Sequence, residues 1–316
     1  MSDQSLHPSN LEPRTSRYRG RFAPTPSGSL HFGSLIAAAG SYLQAKARQG
    51  EWLLRIDDID PPREVAGASD AILTTLERFG FEWDGPVTYQ SSRHELYQDA
   101  LDSLQTMGKI YPCACSRKII AEAQALSSNK NTYPGTCRKG LSQGQSARML
   151  RMNTQGIVID FDDLIQGHCK YDLETAVGDY VVLRVDGLFG YQLATGVDDA
   201  TQGINEVVRG RDLLDSTPCQ ILIQQGLGLE SPAYCHLPVA LNKSGQKLSK
   251  QHHANPLSTN RASSQLWQAL TFLGQKPPKE QHDIPLSTLW EWAIANWQVD
   301  NIPKQQTNPL SGIALT

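Results

Sequence analysis

The chain has 316 residues, 39% hydrophobic and 19% charged, with 25 glycines and 18 prolines, which is close to ordinary globular usage and excludes a peptide-sized scaffold, a collagen-like repeat or a low-complexity disordered chain. Twenty-nine lysines and arginines against 32 acids leave a formal net charge of −3, which excludes a protein that coats nucleic acid through bulk charge. No apolar run approaches the roughly 18 to 20 residues that span a bilayer, and Met1 to Arg17 is polar without an apolar signal core, so a flexible tail over 1–17, no membrane partner and a cytoplasmic address are expected.

Alternating periodicities organise the rest. Tyr18 to Phe22 predicts a short strand, Pro24-Thr25-Pro26-Ser27-Gly28-Ser29 a turn, and Leu30 to Arg48 a helix closed by Gly50. Trp52 to Ile56 predicts the next strand, running into the acidic knot Asp57-Asp58-Ile59-Asp60. Ala66 to Phe79 and His94 to Met107 carry helical apolar spacing and end at Gly80 and Gly108. This order makes 18–110 the first half of a parallel sheet with helices packed on it.

From Tyr111 to about Ile165, cysteines, prolines, glycines and basic residues break the rhythm, and 111–165 reads as an insertion. The rhythm resumes over 166–255, with Asp179 to Val185 extended, Tyr191 to Asp199 opening a helix, Asn205 to Arg209 extended, Thr217 to Leu227 helical and His236 to Leu241 extended. The last 61 residues, 256–316, hold two predicted helices, Ala262 to Phe272 and Leu286 to Trp297, before a polar tail from Pro303 that is expected to be disordered.

Charge is uneven along the chain. Between Arg117 and Arg151 seven lysines and arginines stand against the single acid Glu122, whereas Asp160 to Asp199 holds nine acids against Lys170 and Arg184. The basic stretch suits either a docked polyanion or an ordinary solvated face. Six cysteines without a secretory signal argue against a disulfide framework. Cys169, Cys219 and Cys235 stand singly and read as ordinary thiols. Cys113, Cys115 and Cys137 make three soft ligands in one short span, and zinc takes four in a tetrahedron, the fourth being water, Tyr133 or another group.

Two stretches suit phosphate. From Arg21 to Ser34, small residues let backbone approach a ligand, and the helix that follows presents N–H groups and partial positive charge to an anion, with His31 at its mouth as a donor. Around Lys243, Lys247 and Lys250, three lysines among flexible residues make a cationic loop suited to neutralising pyrophosphate as it leaves. Each alone also fits a bland turn; both in one chain, bracketing an α/β pattern, point to nucleotide chemistry.

These residues resemble the class I aminoacyl-tRNA synthetases. His31-Phe32-Gly33-Ser34 matches the first family signature (HIGH) and Lys247-Leu248-Ser249-Lys250-Gln251 the second (KMSKS). Arg21-Phe22-Ala23-Pro24, Arg55 to Asp60, Tyr191-Gln192-Leu193-Ala194 and Asn205 to Gly210 are similar to the glutamyl subgroup, and the resemblance runs from about Arg17 to Asn255. Two positions depart from it: Ser34 replaces the last histidine of the first signature, and Asp57 stands where that subgroup usually has Glu, one methylene longer. A full glutamyl enzyme continues into anticodon-gripping helices, for which 61 residues are too few. The truncated layout, with Lys250-Gln251-His252-His253-Ala254 after the loop, resembles the short branch of the family that glutamylates queuosine in the tRNA(Asp) anticodon.

The resemblance implies an α/β fold, a class I synthetase Rossmann-type parallel sheet with a zinc-bearing insertion and a short helical C-terminal region lacking an anticodon-binding module, in a monomer. It implies ATP-dependent, Mg²⁺-assisted activation of L-glutamate as glutamyl-adenylate and transfer to queuosine of tRNA(Asp). The implied glutamate pocket is Arg21, Phe22, Ala23, Pro24, Thr25, Asp57, Tyr191 and Arg209, with Arg21 and Tyr191 on the side-chain carboxylate, Arg209 on the α-carboxylate and Asp57 on the ammonium. ATP falls to Thr25, Ser27, Gly28, His31, Gly33, Ser34, Lys247 and Lys250, with His31 and Lys250 acting on the phosphates. Structural zinc falls to Cys113, Cys115, Tyr133 and Cys137, flanked by Arg117, Lys118, Arg138 and Lys139 for tRNA phosphates. Three rivals are a short glutamyl-tRNA synthetase that charges a 3′ end, a catalytically silent tRNA-binding paralogue, and a nucleotidylyltransferase of related fold. The missing helices disfavour the first; Arg21, His31, Tyr191, Arg209 and both lysines disfavour the second, and the glutamate-pocket residues the third.

Overall fold

The computed structural model describes residues 17–126, 132–241, 255–278 and 284–304. The first half alternates β1 (Arg19–Phe22), α1 (Phe32–Lys46), β2 (Glu51–Ile56), α2 (Ala68–Arg78), β3 (Thr88–Tyr89) and α3 (His94–Thr106), as the sequence predicts except for the two-residue β3. The strands are parallel in the order β1-β2-β3, and β2 buries Trp52, Leu54 and Ile56 completely, as a strand covered on its faces must. Trp52 stacks near Phe22 and Phe81 and donates its indole N–H to Ser41 Oγ at 2.9 Å, so the sheet and α1 share one core. Truncating a ring so placed costs about 3–5 kcal/mol.

The chain then builds β4 (Ile110–Cys113), α4 (Arg117–Leu126), β5 (Met149–Met152), the hairpin β6 (Val158–Asp163) and β7 (Gly167–Asp172), a single turn α5 (Leu173–Ala176) and β8 (Val181–Leu183). Strands β4, β5 and β8 form an antiparallel sheet. The sequence reading assigned no strands between 111 and 165; the structure puts β5, β6 and most of β4 there. In β6, Ile159 and Asp163 are buried while Val158, Asp160 and Asp162 are exposed. The period-two signal was present, but outward acids and a buried aspartate disguised it.

The second half follows with α6 (Tyr191–Thr201), β9 (Glu206–Gly210), α7 (Thr217–Gly226) and β10 (Ala233–Leu237). Strand β10 begins three residues before the expected His236, because Ala233, Tyr234 and Cys235 pair in register with Glu206, Val207 and Val208. The sheet order is β7-β6-β10-β9. Asn205, just ahead of β9, joins the halves: its N–H donates to the Arg19 carbonyl at 3.1 Å and its Oδ1 accepts the Arg19 N–H at 2.9 Å. Glu206 ties α1 to β9 by accepting from Gln44 Nε2 at 2.7 Å, Arg48 Nη1 at 2.9 Å and Tyr18 Oη at 3.2 Å.

Two predicted helices, α8 (Ala262–Phe272) and α9 (Leu286–Asn296), close the fold over α1. Two indole donors tie down α9: Trp290 Nε1 to the Phe79 carbonyl at 2.8 Å and, just after the helix, Trp297 Nε1 to Gln44 Oε1 at 2.7 Å. Among the described residues, no helix is long and apolar enough to cross a membrane.

Candidate active site

A cavity of ≈ 550 Å³ opens where the turn after β1, the start of α1, the end of β9 and the segment after β10 converge. Of the sequence-predicted residues, Arg21, Phe22, Ala23, Pro24, Thr25, Ser27, His31, Gly33, Ser34, Tyr191 and Arg209 line it; Gly28 and Asp57 do not. Lys247 and Lys250, with Lys243, His252 and His253, lie outside the described residues, as does the predicted tail apart from Pro303 and Lys304. Both ends of that lysine-bearing segment border the site, since Ala240 lines the cavity and Pro256 makes a β-bridge with His31. The sequence did not single out Val208, Gly210, Asp212 or Leu237 to Ala240 as wall residues; the first three belong to the quoted Asn205–Gly210 stretch and its continuation.

Local chemistry fixes the turn. Gly28 has φ 128°, a backbone conformation that an L side chain rarely adopts, which lets 25–30 fold back before α1 begins. His31 caps α1: its Nδ1 accepts the Ser34 N–H at 3.3 Å, and Ser34 Oγ accepts the His31 N–H at 3.4 Å. With Nδ1 acting as acceptor, a neutral His31 carries its proton on Nε2, a donor at the positive end of a 15-residue helix. The serine that replaces the second imidazole closes this cap with its Oγ, while its backbone N–H sets the tautomer of the first.

The arginines sit in a buried charge network. Arg21, 4% exposed, grips Asp199 with Nε to Oδ1 and Nη2 to Oδ2, each at 3.0 Å, leaving Nη1 outside that pairing. Arg55, fully buried, bridges Asp199 Oδ1 at 2.8 Å and Asp57 Oδ1 at 2.8 Å. Burial alone would raise Asp199, but Arg21 and Arg55 outweigh it and hold its pKa at about 2. Asp57 lies beside the cavity wall, its N–H donating to the Pro24 carbonyl at 3.0 Å, and burial, offset only in part by Arg55, lifts it to about 6. Neighbouring Asp198 accepts from Arg93 Nε at 2.6 Å, Gln90 Nε2 at 2.7 Å and Tyr97 Oη at 2.8 Å. Sequence reasoning missed Asp198, Asp199 and the bridging role of Arg55.

Arg209, also in the lining, donates from Nε to His236 Nε2 at 3.1 Å and from Nη2 to Thr217 Oγ1 at 2.8 Å, while its Nη1 is buried without a partner among the described residues. A buried guanidinium nitrogen without an acceptor is costly unless a ligand supplies one.

The second cluster lies beside the antiparallel sheet, where Cys113 ends β4. The Cys113, Cys115 and Cys137 sulfurs lie within 4.8 Å of one another, all buried. Tyr133 Oη is 3.4 Å from both Cys113 Sγ and Cys115 Sγ, and Cys115 Sγ is 3.5 Å from Cys137 Sγ. Thiolates at about 2.3 Å and an oxygen at about 2.0 Å around a tetrahedral ion stand roughly 3.5–3.8 Å apart, so these four side chains fit zinc. Arg151 supplies positive charge beside them, with its guanidinium 4.0 Å from the Tyr133 ring centre and Nε 3.3 Å from Cys113 Sγ. Of the flanking cations, Lys118 is exposed, but Arg138 is turned inward onto Asp179 and Glu174 rather than offered to a phosphate.

A family model described as tRNA synthetases class I (E and Q), catalytic domain, matches residues 17–274. The chain is 54% identical over 292 residues to a protein of Dechloromonas aromatica named glutamyl-Q tRNA(Asp) synthetase, covering 92% of this chain and 97% of that one. It is 51% identical over 288 residues to a protein of the same name from Aromatoleum aromaticum, covering 91% of each. The solved structure of a glutamate tRNA ligase from Elizabethkingia meningosepticum superposes with a TM-score of 0.76 at 22% identity, over 93% of this chain and 68% of that one, so the expected fold class is borne out. The chain is therefore a member of the glutamyl-Q tRNA(Asp) synthetase family, built on the class I synthetase catalytic domain.

Proposed function

We propose that the chain activates L-glutamate with ATP and Mg²⁺ and transfers the glutamyl group to the queuosine base of tRNA(Asp). The observation that carries this is one cavity lined by Arg21, by Arg209 with an unsatisfied buried Nη1, and by the capped N-terminus of α1. Glutamate brings two carboxylates, which two guanidinium groups in one cavity match, as the helix N-terminus matches a phosphate. Arg21 and Tyr191 take the side-chain carboxylate, Arg209 the α-carboxylate and Asp57 the ammonium. An α-carboxylate oxygen attacks the α-phosphorus of ATP, the bond to the bridging oxygen breaks and pyrophosphate leaves. His31 Nε2–H and, from the segment outside the described residues, Lys247 and Lys250 neutralise the phosphates. A hydroxyl of the queuosine cyclopentenediol then attacks the acyl carbon, an ester forms and AMP leaves. Positioning and electrostatics carry both steps, and the enzyme need supply no nucleophile.

Cys113, Cys115, Tyr133 and Cys137 hold zinc in this reading, which supplies a structural tie for a segment with little core of its own. Among the described residues of the basic stretch, exposed Arg117, Lys118, Lys139 and Arg148 are left to meet tRNA phosphates.

Labelled glutamate is to be offered to tRNA prepared with and without queuosine, and the product cut by nuclease. Label confined to the queuosine-containing anticodon fragment is the expected result; label at the 3′ end makes this a short glutamyl-tRNA synthetase. A second expectation concerns pH. Asp57 must be ionised to hold an ammonium, and its pKa is raised to about 6, so the KM for glutamate should climb as pH falls through 6 and level off above it. Asp57→Asn should start high and lose that slope; an unchanged slope would remove Asp57 from the contact.

A further inference from the structure

We infer that His236 is a positioning residue for the amino-acid site: Asp163 fixes its imidazole in the tautomer whose bare Nε2 holds the Arg209 guanidinium against the substrate carboxylate. This rests on reading Arg209 as a carboxylate clamp, and it assigns a role to two residues that touch no substrate. His236 lies in β10 and is fully buried. Its Nδ1 is 2.6 Å from Asp163 Oδ2, and its backbone N–H also donates to Asp163, at 3.2 Å to Oδ1 and 3.1 Å to Oδ2. Asp163 ends β6, where its Oδ1 also accepts the N–H groups of Ile165 at 3.1 Å and Gln166 at 2.8 Å, so the carboxylate is pinned by backbone.

The direction of the chain of bonds follows from donor inventories. A guanidinium has no acceptor, so at 3.1 Å the Arg209 Nε–H must donate and His236 Nε2 must accept. That leaves the single proton of the neutral ring on Nδ1, where a carboxylate 2.6 Å away accepts it. Thr217 Oγ1, 2.8 Å from Arg209 Nη2 and 3.1 Å from His236 Nε2, braces the same edge of the guanidinium from α7. With Nε and Nη2 both held, the plane of Arg209 is fixed and the unpartnered Nη1 is the nitrogen left for an incoming carboxylate. Burial and the facing Arg209 both keep the imidazole neutral, against the pull of Asp163. Such preorganisation lowers the ordering cost of binding and is felt in substrate affinity.

The test is glutamate-dependent ATP–pyrophosphate exchange by wild type, His236→Phe, His236→Gln and Arg209→Ala, with thermal midpoints and ¹⁵N NMR of the wild-type imidazole. His236→Phe should raise the KM for glutamate about tenfold, the size of one lost hydrogen bond to a charged group, with the KM for ATP within about twofold. His236→Gln should recover most of the loss, because its amide oxygen can accept from Arg209 Nε. The NMR should show Nδ1 protonated and Nε2 bare. If Arg209→Ala raises the KM for glutamate and His236→Phe does not, the positioning role is wrong while the clamp stands. If Arg209→Ala leaves that KM unchanged, the clamp itself is wrong. A proton on Nε2, equal rises in both KM values, or no recovery by glutamine would each overturn the inference; if the phenylalanine variant fails to fold, the wild-type NMR and a near-wild-type KM for glutamate in His236→Gln still decide it.

Discussion

Arg21→Ala is expected to raise the glutamate requirement of ATP–pyrophosphate exchange by about two to three orders of magnitude, the range found when one partner of a buried, hydrogen-bonded charge pair is removed, with the KM for ATP little changed. Arg21 is 4% exposed and is locked by two 3.0 Å bonds to Asp199, so its free edge meets the cavity at a fixed angle. A carboxylate docked there gains charge-assisted bonds, whereas the amide of glutamine would set N–H against N–H; the variant should therefore also lose most of its preference for glutamate over glutamine. Arg21→Lys should not restore it, because one ammonium cannot both occupy Asp199 and reach the substrate. Asp199 keeps Arg55 at 2.8 Å in either variant, so the fold should survive with a modest drop in melting temperature. Wild-type exchange kinetics in Arg21→Ala would take Arg21 out of the pocket and leave the glutamate assignment without its side-chain anchor.

How far such a site can be read from sequence depends on whether its parts are neighbours in the chain. The turn after β1 and the His31 cap lie within one short run, so small residues before a helix gave that stretch of the cavity wall directly. Tyr191 and Arg209 came through family resemblance rather than spacing, and so did Tyr133 beside three cysteines whose own spacing proposed a metal. The charge network was not legible, because Arg55 and Asp199 are 144 positions apart and an aspartate pair in a helix ordinarily marks a solvated face. The same rule misassigned Arg138, which reads as one of a basic run and is in fact a buried-side partner of Asp179 and Glu174. In each case a charged residue was weighed by its local surroundings, while its fate was set by a partner from a distant element.

Asp179 should be the most stability-sensitive acid of the cysteine-bearing sheet. Its carboxylate, fully buried, accepts the Tyr111 hydroxyl, Arg138 Nε at 2.6 Å and Nη2 at 2.9 Å, and the N–H and Oγ1 of Thr154 at 2.9 and 2.8 Å. Its backbone carbonyl accepts Arg151 Nη1 at 2.7 Å, the arginine that lies against Tyr133 and Cys113. One residue thus holds β4, the end of β5, the approach to β8 and the chain beside Cys137. Asp179→Ala strands Arg138 and the Tyr111 hydroxyl together and should cost about 3–5 kcal/mol, the usual price of breaking a buried ion pair. Metal analysis of the purified variant should show less zinc than wild type, and limited proteolysis should cut first between 111 and 183; treating wild type with a chelator should reproduce the cleavage pattern in milder form. The pH dependence has a definite sign. Burial would raise the Asp179 carboxyl, but Arg138, Tyr111 and Thr154 hold it below the usual carboxylate range, so its contribution is complete above an unfolded carboxylate's pKa of about 3.9 and is lost as pH falls toward the depressed native value. Asp179→Asn, which has no such proton to gain, should flatten that acid limb while remaining less stable than wild type at neutral pH. A variant that melts with wild type and keeps its zinc would mean that the hydrogen bonds around Asp179 follow from the sheet rather than hold it.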